Sequence, residues 1–221
     1  MNHLLSKIGS YPFEKLNLLH KDIKPSKEVI NLSIGEPKLN ADSKVLDILN
    51  KETNSFSNYP PMNAVPELSE AYRQYLKNHF GIENVAEDEV CLVAGTREGT
   101  FSIIQALFNK ENVKEKPYVV MPNPFYQIYG GATTLAGGEA KFLDCPEEDN
   151  FQPDLDSLKS EDWQKCQILV LCSPNNPTGS VLPLSKLKNI LDLAEKYDFY
   201  VISDECYVCL LYTSPSPRDE L

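Results

Sequence analysis

Between residues 90 and 205 short apolar runs alternate with longer segments of helical spacing. VCLVA (90–94), YVVMP (118–122), EAKFLDC (139–145), QILVLCS (167–173) and FYVISDE (199–205) read as strands, being short and bounded by turn residues. EGTFSIIQALFNK (98–110), the glycine-tailed YQIYGGATTLAGG (126–138), LDSLKSED (155–162) and LSKLKNILDLAEKYD (184–198) read as helices, the last with Ser185 as its cap. Upstream, residues 66–80 predict a helix. Pro66 suits its first turn, Leu68, Tyr72, Tyr75 and Leu76 form its apolar stripe, and Gly81 stops it. Val45, Leu46 and Leu49 give residues 41–52 helical spacing, residues 1–30 read as a helix and an arm, and 31–40 as an extended piece with a turn. Pro60 and Pro61 make 55–65 a loop.

Strands alternating with helices, the strands almost continuously apolar, predict a mostly parallel sheet covered on both faces, a three-layer α/β/α architecture. Ligands of such folds bind beyond the carboxyl ends of the strands. Four stretches occupy those ends: AGTREGT, MPNPFY, CSPNNPTG and SDECY.

Composition narrows the reading. The 221 residues are 42% hydrophobic and 24% charged, an ordinary globular profile. A net charge of −11 argues against nucleic acid and against anionic membrane surfaces as partners. No 18-residue apolar run is present, and MNHLLSKIGSYPFEKL has no signal-peptide pattern, so a cytoplasmic location is expected and the terminal RDEL carries no address. Most of the six cysteines adjoin apolar runs and read as reduced core thiols. Cys206 and Cys209 form a lone C-x-x-C with no second pair, so no metal site is expected.

The strand-end stretches carry the candidate chemistry. In AGTREGT, Gly95 permits a tight turn, and Thr96 and Arg97 present backbone N–H groups at a helix start, an anion site by orphan donors and dipole. Alone it reads first as a plain strand-to-helix turn, and neither nucleotide-binding glycine fingerprint is met. Asp204 closes an apolar strand, where a carboxylate is costly unless matched by a donor or a cation. A turn-capping Asp is the simpler account. Tyr207 offers a phenol, Tyr126 a flat aromatic face or plain core filler, and Asn175 and Asn176 neutral amides. Taken together these groups suit a phosphorylated, cationic aromatic ring, and pyridoxal 5′-phosphate fits that description.

From about Asn31 to Tyr207 the chain resembles class I/II pyridoxal-phosphate aminotransferases of fold type I, through NLSIGEP, YPPMNAVPELSEAY, AGTREGT, PNPFYQIY, SPNNPTG and SDECY in that order. The resemblance implies that Asp204 pairs with the pyridine nitrogen and that Asn176 and Tyr207 donate to the ring's phenolic oxygen. It implies a cis Asn176–Pro177 bond, ring stacking by Tyr126, and phosphate binding by Thr96 and Arg97. Tyr59 would reach the phosphate of a neighbouring subunit, hence a homodimer, and Gly35 would lie beside the substrate carboxylate. The implied activity is reversible amino transfer between an amino acid and a 2-oxo acid. SYPFEKL and LSIGEPKL are similar to bacterial succinyldiaminopimelate aminotransferases of lysine biosynthesis, with 2-oxoglutarate as partner substrate.

The chain departs from that pattern late. The family's Schiff-base lysine follows the D-E-x-Y motif, but only 14 residues follow Tyr207 and VCLLYTSPSPRDEL holds no lysine. Lys188, in a Ser-x-x-Lys with Ser185, precedes Asp204 and is no candidate, so no catalytic residue is assigned. The later phosphate and carboxylate arginines are missing too, and Arg218 stands in the wrong context. The expected division is an N-terminal arm and small-domain segment (1–34), a partial cofactor domain (35–207) and an atypical, non-native tail (208–221). In the family fold two later strands would insert between 90–94 and 167–173. Their absence predicts a split sheet with two bare edges, hence an insoluble, inactive fragment. The alternative function is a truncated, non-catalytic pseudo-enzyme.

Overall fold

A strand exists only through its neighbours, and the pairing found here differs from the expected one at one end of the sheet. The computed structural model describes residues 2–9, 11–30, 35, 40–57, 59, 66–111 and 117–208. They form two compact units, Tyr11–Leu92 and a second made of Met1–Ser10 with Val93–Leu221.

The Tyr11–Leu92 unit is helical. It holds α1 (Pro12–His20), α2 (Ser43–Lys51) and α3 (Pro66–Phe80). Pro12 opens α1, where its missing N–H costs nothing, and the Asp42 carboxylate accepts from the Lys44 N–H at 2.8 Å to cap α2. Of the stripe expected on α3, Tyr75 and Leu76 are half-buried, whereas Leu68 and Tyr72 remain exposed.

The second unit continues with α4 (Thr96–Leu107), β1 (Tyr118–Asn123), α5 (Gln127–Ala136), β2 (Glu139–Asp144), α6 (Ser160–Trp163), β3 (Cys166–Cys172), α7 (Leu184–Tyr197) and β4 (Tyr200–Asp204). The four strands pair in parallel in the order β2-β1-β3-β4. Strand β3 shows why both layers of helix are needed. Its side chains alternate between faces, and both sets are apolar. Ile168 and Val170 pack with Ile104 and Phe108 from α4 and its end and with Tyr129 and Ala132 of α5. Leu169 and Leu171 pack on the other face with Trp163, Ile190 and Phe199. Helices α4 and α5 are tied by the Gln105 amide donating to the Ala132 carbonyl at 2.7 Å. Among the described residues no helix is long and apolar enough to cross a membrane.

Four expectations are corrected. Residues 90–94 form no strand: their apolar pattern is right, but the sheet offers them no neighbour to hydrogen-bond, and pairing is what makes a strand. The sheet is not split beside 167–173, because β3 is bonded to β1 on one side and β4 on the other; the edges are β2 and β4, so the unpaired edge lies at β4 and not at β3. Residues 155–162 are not one helix. A 3-10 turn at Leu155–Ser157, started by the Asp154 carboxylate accepting from the Asp156 N–H at 2.9 Å, gives way to extended backbone at Leu158 and Lys159 before α6. This break lets Leu158 and Trp163 both enter the core. Ser185 does not cap α7, which already begins at Leu184 after Pro183.

The buried thiol of Cys166 gives a prediction. Burial pushes it from an ordinary 9.0 up to about 12. The unfolded chain releases this proton first, so the contribution to stability is whole below about pH 9 and is lost as pH rises toward about 12. The loss runs at about 1.4 kcal/mol per pH unit inside that window. Urea unfolding between pH 8 and 12 should show this fall, and Cys166→Ala should make it shallower, the other raised thiols and phenols keeping the remainder.

Candidate cofactor site at the strand ends

The amide-rich turn after β3 divides its two asparagines between two jobs. Asn175 is buried and builds the turn: its N–H donates to the Ser180 carbonyl at 2.9 Å, its carbonyl accepts from the Gly179 N–H at 2.7 Å, and its side-chain amide donates to the Thr178 hydroxyl at 2.9 Å. Asn176 is left to face outward from the turn, and its Nδ2 donates to the Tyr207 Oη at 3.2 Å. The Asn176–Pro177 peptide is cis, as the resemblance implied, and so are Ser173–Pro174 and Asn123–Pro124.

Asp204 ends β4 and is held to β3 by the Ser173 N–H donating to its carbonyl at 3.1 Å. Its carboxylate is half-buried. Oδ2 accepts from the Tyr129 hydroxyl at 2.5 Å and Oδ1 from the Cys206 N–H at 3.2 Å. Both donors are neutral, so neither cancels the negative charge. On the other side of the same hollow, α4 begins after Gly95, whose φ of 119° and ψ of 147° belong to a region that only glycine enters without strain. The first N–H groups of α4 therefore open toward a space that a carboxylate borders.

A cavity of about 210 Å³ joins these groups. It is lined by six of the residues named from sequence, Thr96, Arg97, Tyr126, Asn176, Asp204 and Tyr207, all from the Val93–Leu221 unit. Gly35 and Tyr59 belong to the Tyr11–Leu92 unit and are exposed there. Four lining residues were not anticipated: Thr100, Tyr129, Cys172 and Cys206. Thr100 lies one turn after Thr96, to whose carbonyl its hydroxyl donates at 2.8 Å, so helical spacing could have found it. Tyr129 lies one turn after Tyr126, the two rings meeting edge to face with centroids 5.8 Å apart. Cys209, the other half of the C-x-x-C, lies outside the described residues, as do 209–221. Among the described residues no cluster of three or more metal-ligating side chains occurs, and no lysine lines the cavity.

The titration behaviour follows from this layout. Burial, then the Asp204 carboxylate, push the Tyr129 phenol far above its ordinary value, so it stays a neutral donor. Burial and then the negative Asp204 push the Cys206 thiol up to about 12. Burial likewise raises Cys172 and Tyr207, with the Asn176 amide opposing the rise at Tyr207.

A sequence model for "Aminotransferase class I and II" matches residues 27–220. The chain belongs to this aminotransferase family. It is 30% identical to an aspartate aminotransferase of Pyrococcus horikoshii over 90% of this chain and 49% of that protein. It is 26% identical to an LL-diaminopimelate aminotransferase of Natranaerobius thermophilus over 99% of this chain and 56% of that one. The structure superimposes on a Neisseria meningitidis aminotransferase with a TM-score of 0.86 at 41% identity, over 93% of this chain and 52% of that one. The chain therefore spans about half the length of the relatives it matches. The fold is the type I fold of these neighbours, incomplete relative to them, and the family is pyridoxal-phosphate dependent.

The residues present fit that cofactor. The cavity sets a helix N-terminus with Arg97, a carboxylate met only by neutral donors, a tyrosine ring and an amide–phenol pair around one space. In the Asn176–Tyr207 pair the phenol oxygen is the acceptor, so its own proton is not spent on that amide. Replacing Gly95 tests the helix-start part of this fit. Gly95→Ala forces a Cβ onto backbone that disfavours it, and that Cβ would also stand 3.1 Å from Glu98 Oε2. We expect a loss of about 1–3 kcal/mol in stability and weaker retention of inorganic phosphate, read by thermal melts with and without the anion.

Proposed function

We propose that residues 93–208 form the cofactor-holding part of a pyridoxal-phosphate-dependent aminotransferase that moves an amino group between an amino acid and a 2-oxo acid. One observation carries this reading: the carboxylate of Asp204 and the Asn176–Tyr207 pair border the same cavity as the start of α4. In that role the N–H groups of Thr96 and Arg97 take the phosphate and Tyr126 covers the ring. Asn176 and Tyr207 donate to the phenolic oxygen, and Asp204 holds a proton at the ring nitrogen. When bound, the cofactor supplies an electron sink for the α-carbon of the amino acid. We further propose residues 1–34 as arm and small-domain segment, 35–207 as a partial cofactor domain and 208–221 as a tail. The parent protein would be a cytoplasmic homodimer in which Tyr59 reaches a second subunit and Gly35 adjoins the substrate.

For the substrate we propose N-succinyl-LL-diaminopimelate with 2-oxoglutarate, supported by SYPFEKL and LSIGEPKL. Relatives named as aspartate and LL-diaminopimelate aminotransferases support an amino acid with a second carboxylate more broadly. Titration with pyridoxine 5′-phosphate, which needs no lysine, tests the cofactor reading. Saturable one-to-one binding, displaced by pyridoxal 5′-phosphate and not by ADP, is expected; no binding overturns it. On a protein that joins this chain to a lysine-supplying segment, faster turnover of the succinylated donor than of aspartate supports the substrate reading, and turnover of aspartate alone overturns it.

The cavity lining, without lysine among the described residues, favours a second reading in which this chain holds the cofactor without chemistry. Borohydride treatment with pyridoxal phosphate separates the two. A cavity-directed adduct on lysine, found by peptide mapping, contradicts the non-catalytic reading.

A further inference from the structure

We propose that Tyr129 is a positioning residue whose buried hydroxyl fixes the Asp204 carboxylate toward the cavity. The inference rests on the cofactor reading for its consequence, but its geometry stands within this chain. Tyr129 is 1% exposed and sits in the α5 layer, packed with Ile168 and Val170 of β3, yet its hydroxyl emerges at the cavity and meets Asp204 Oδ2 at 2.5 Å. A core aromatic needs no hydroxyl there; phenylalanine would fill the same volume. The ring is fixed from behind by the sheet and from the side by the edge-to-face contact with Tyr126. The carboxylate is thus held at both oxygens, at Oδ2 by Tyr129 and at Oδ1 by the Cys206 N–H, so its plane is set before any ligand arrives. Pre-set geometry spares the ordering cost on binding. The phenol is the donor in this pair because its proton is retained through neutral pH.

The groups around Asp204 are Tyr129 from α5, Cys172 from the end of β3, Cys206 and Tyr207 after β4, and Arg97 from α4 across the cavity. Of these, Tyr129 is the buried neutral donor to its side chain. Removing that donor leaves the carboxylate held at Oδ1 alone, so its plane is no longer set before a ligand arrives.

The test is Tyr129→Phe in the full chain, read through the Cys206 amide signal, which reports on Oδ1. In the ligand-free protein this signal should move and broaden, because the carboxylate is left held at Oδ1 alone. An unmoved, equally sharp signal overturns the proposal, because a merely structural ring would leave the carboxylate in place. With pyridoxine 5′-phosphate, affinity at pH 7 should fall about tenfold; unchanged affinity contradicts the positioning role. If neither protein binds that ligand, the cofactor reading fails and the ligand-free Cys206 signal alone decides for or against Tyr129. Should Tyr129→Phe not fold, the wild-type hydroxyl proton serves: a downfield, slowly exchanging signal that disappears in Asp204→Ala supports the contact, and its absence in the wild type refutes it.

Discussion

Asp204→Asn should weaken pyridoxine 5′-phosphate binding about a hundredfold or more at pH 7, without unfolding the protein. The substitution keeps the shape. Its amide oxygen can still accept from Tyr129 or from the Cys206 N–H, the two donors that hold the carboxylate. What it removes is the negative charge at the end of β4. That charge is met by neutral donors in the protein, so its natural complement is a cation delivered by the ligand. A protonated pyridine nitrogen is such a cation, and an asparagine can match it only as a dipole. Fluorescence titration of the two proteins, with melting curves alongside, measures the difference. Equal affinity would mean that the carboxylate serves the turn at Cys206 and nothing else.

The second large effect concerns the scaffold. Leu169→Ala should destabilise the second unit by about 2–5 kcal/mol. Leu169 is fully buried in the middle of β3, in one cluster with Val120, Trp163, Ile190 and Phe199. Strands hem it in on both sides and a helical layer covers it, so the neighbourhood has little room to collapse into the space left behind. The melting temperature should fall by about 5–15 °C for a chain of this size, and cofactor affinity should fall with it on warming. The reason is that β3 and β4 carry Cys172 and Asp204 on adjacent, hydrogen-bonded strand ends. Calorimetry on the variant measures the loss; an unchanged transition would mean that β3 is not the centre of the core.

The sheet was legible where local pattern and tertiary fate agree. QILVLCS is apolar on both sides of its alternation, and β3 has helices on both faces. VCLVA has the same local character, yet whether it becomes a strand depends on a partner far away in sequence, which no local pattern reports. LDSLKSED failed for a different reason: two apolar residues, Leu158 and Trp163, both reach the core only if the helix between them is interrupted. In the site, Asp204 stood out because a charge at the end of an apolar strand demands an explanation. Tyr129 did not, since a tyrosine on an apolar helix face reads as filler until its hydroxyl is seen to reach a carboxylate. The resemblance named Asn176 rather than Asn175, but the physical difference between them needed coordinates: the turn's own hydrogen bonds commit Asn175, while Asn176 reaches Tyr207.

The charge match at β4 is open to direct observation through the ligand itself. Pyridoxine 5′-phosphate labelled with ¹⁵N at the ring should, when bound, show the chemical shift of a protonated nitrogen at a pH where the free compound has lost that proton, and the signal should revert in Asp204→Asn. A bound ring whose nitrogen follows the same titration as the free compound, or one indifferent to residue 204, would contradict the account.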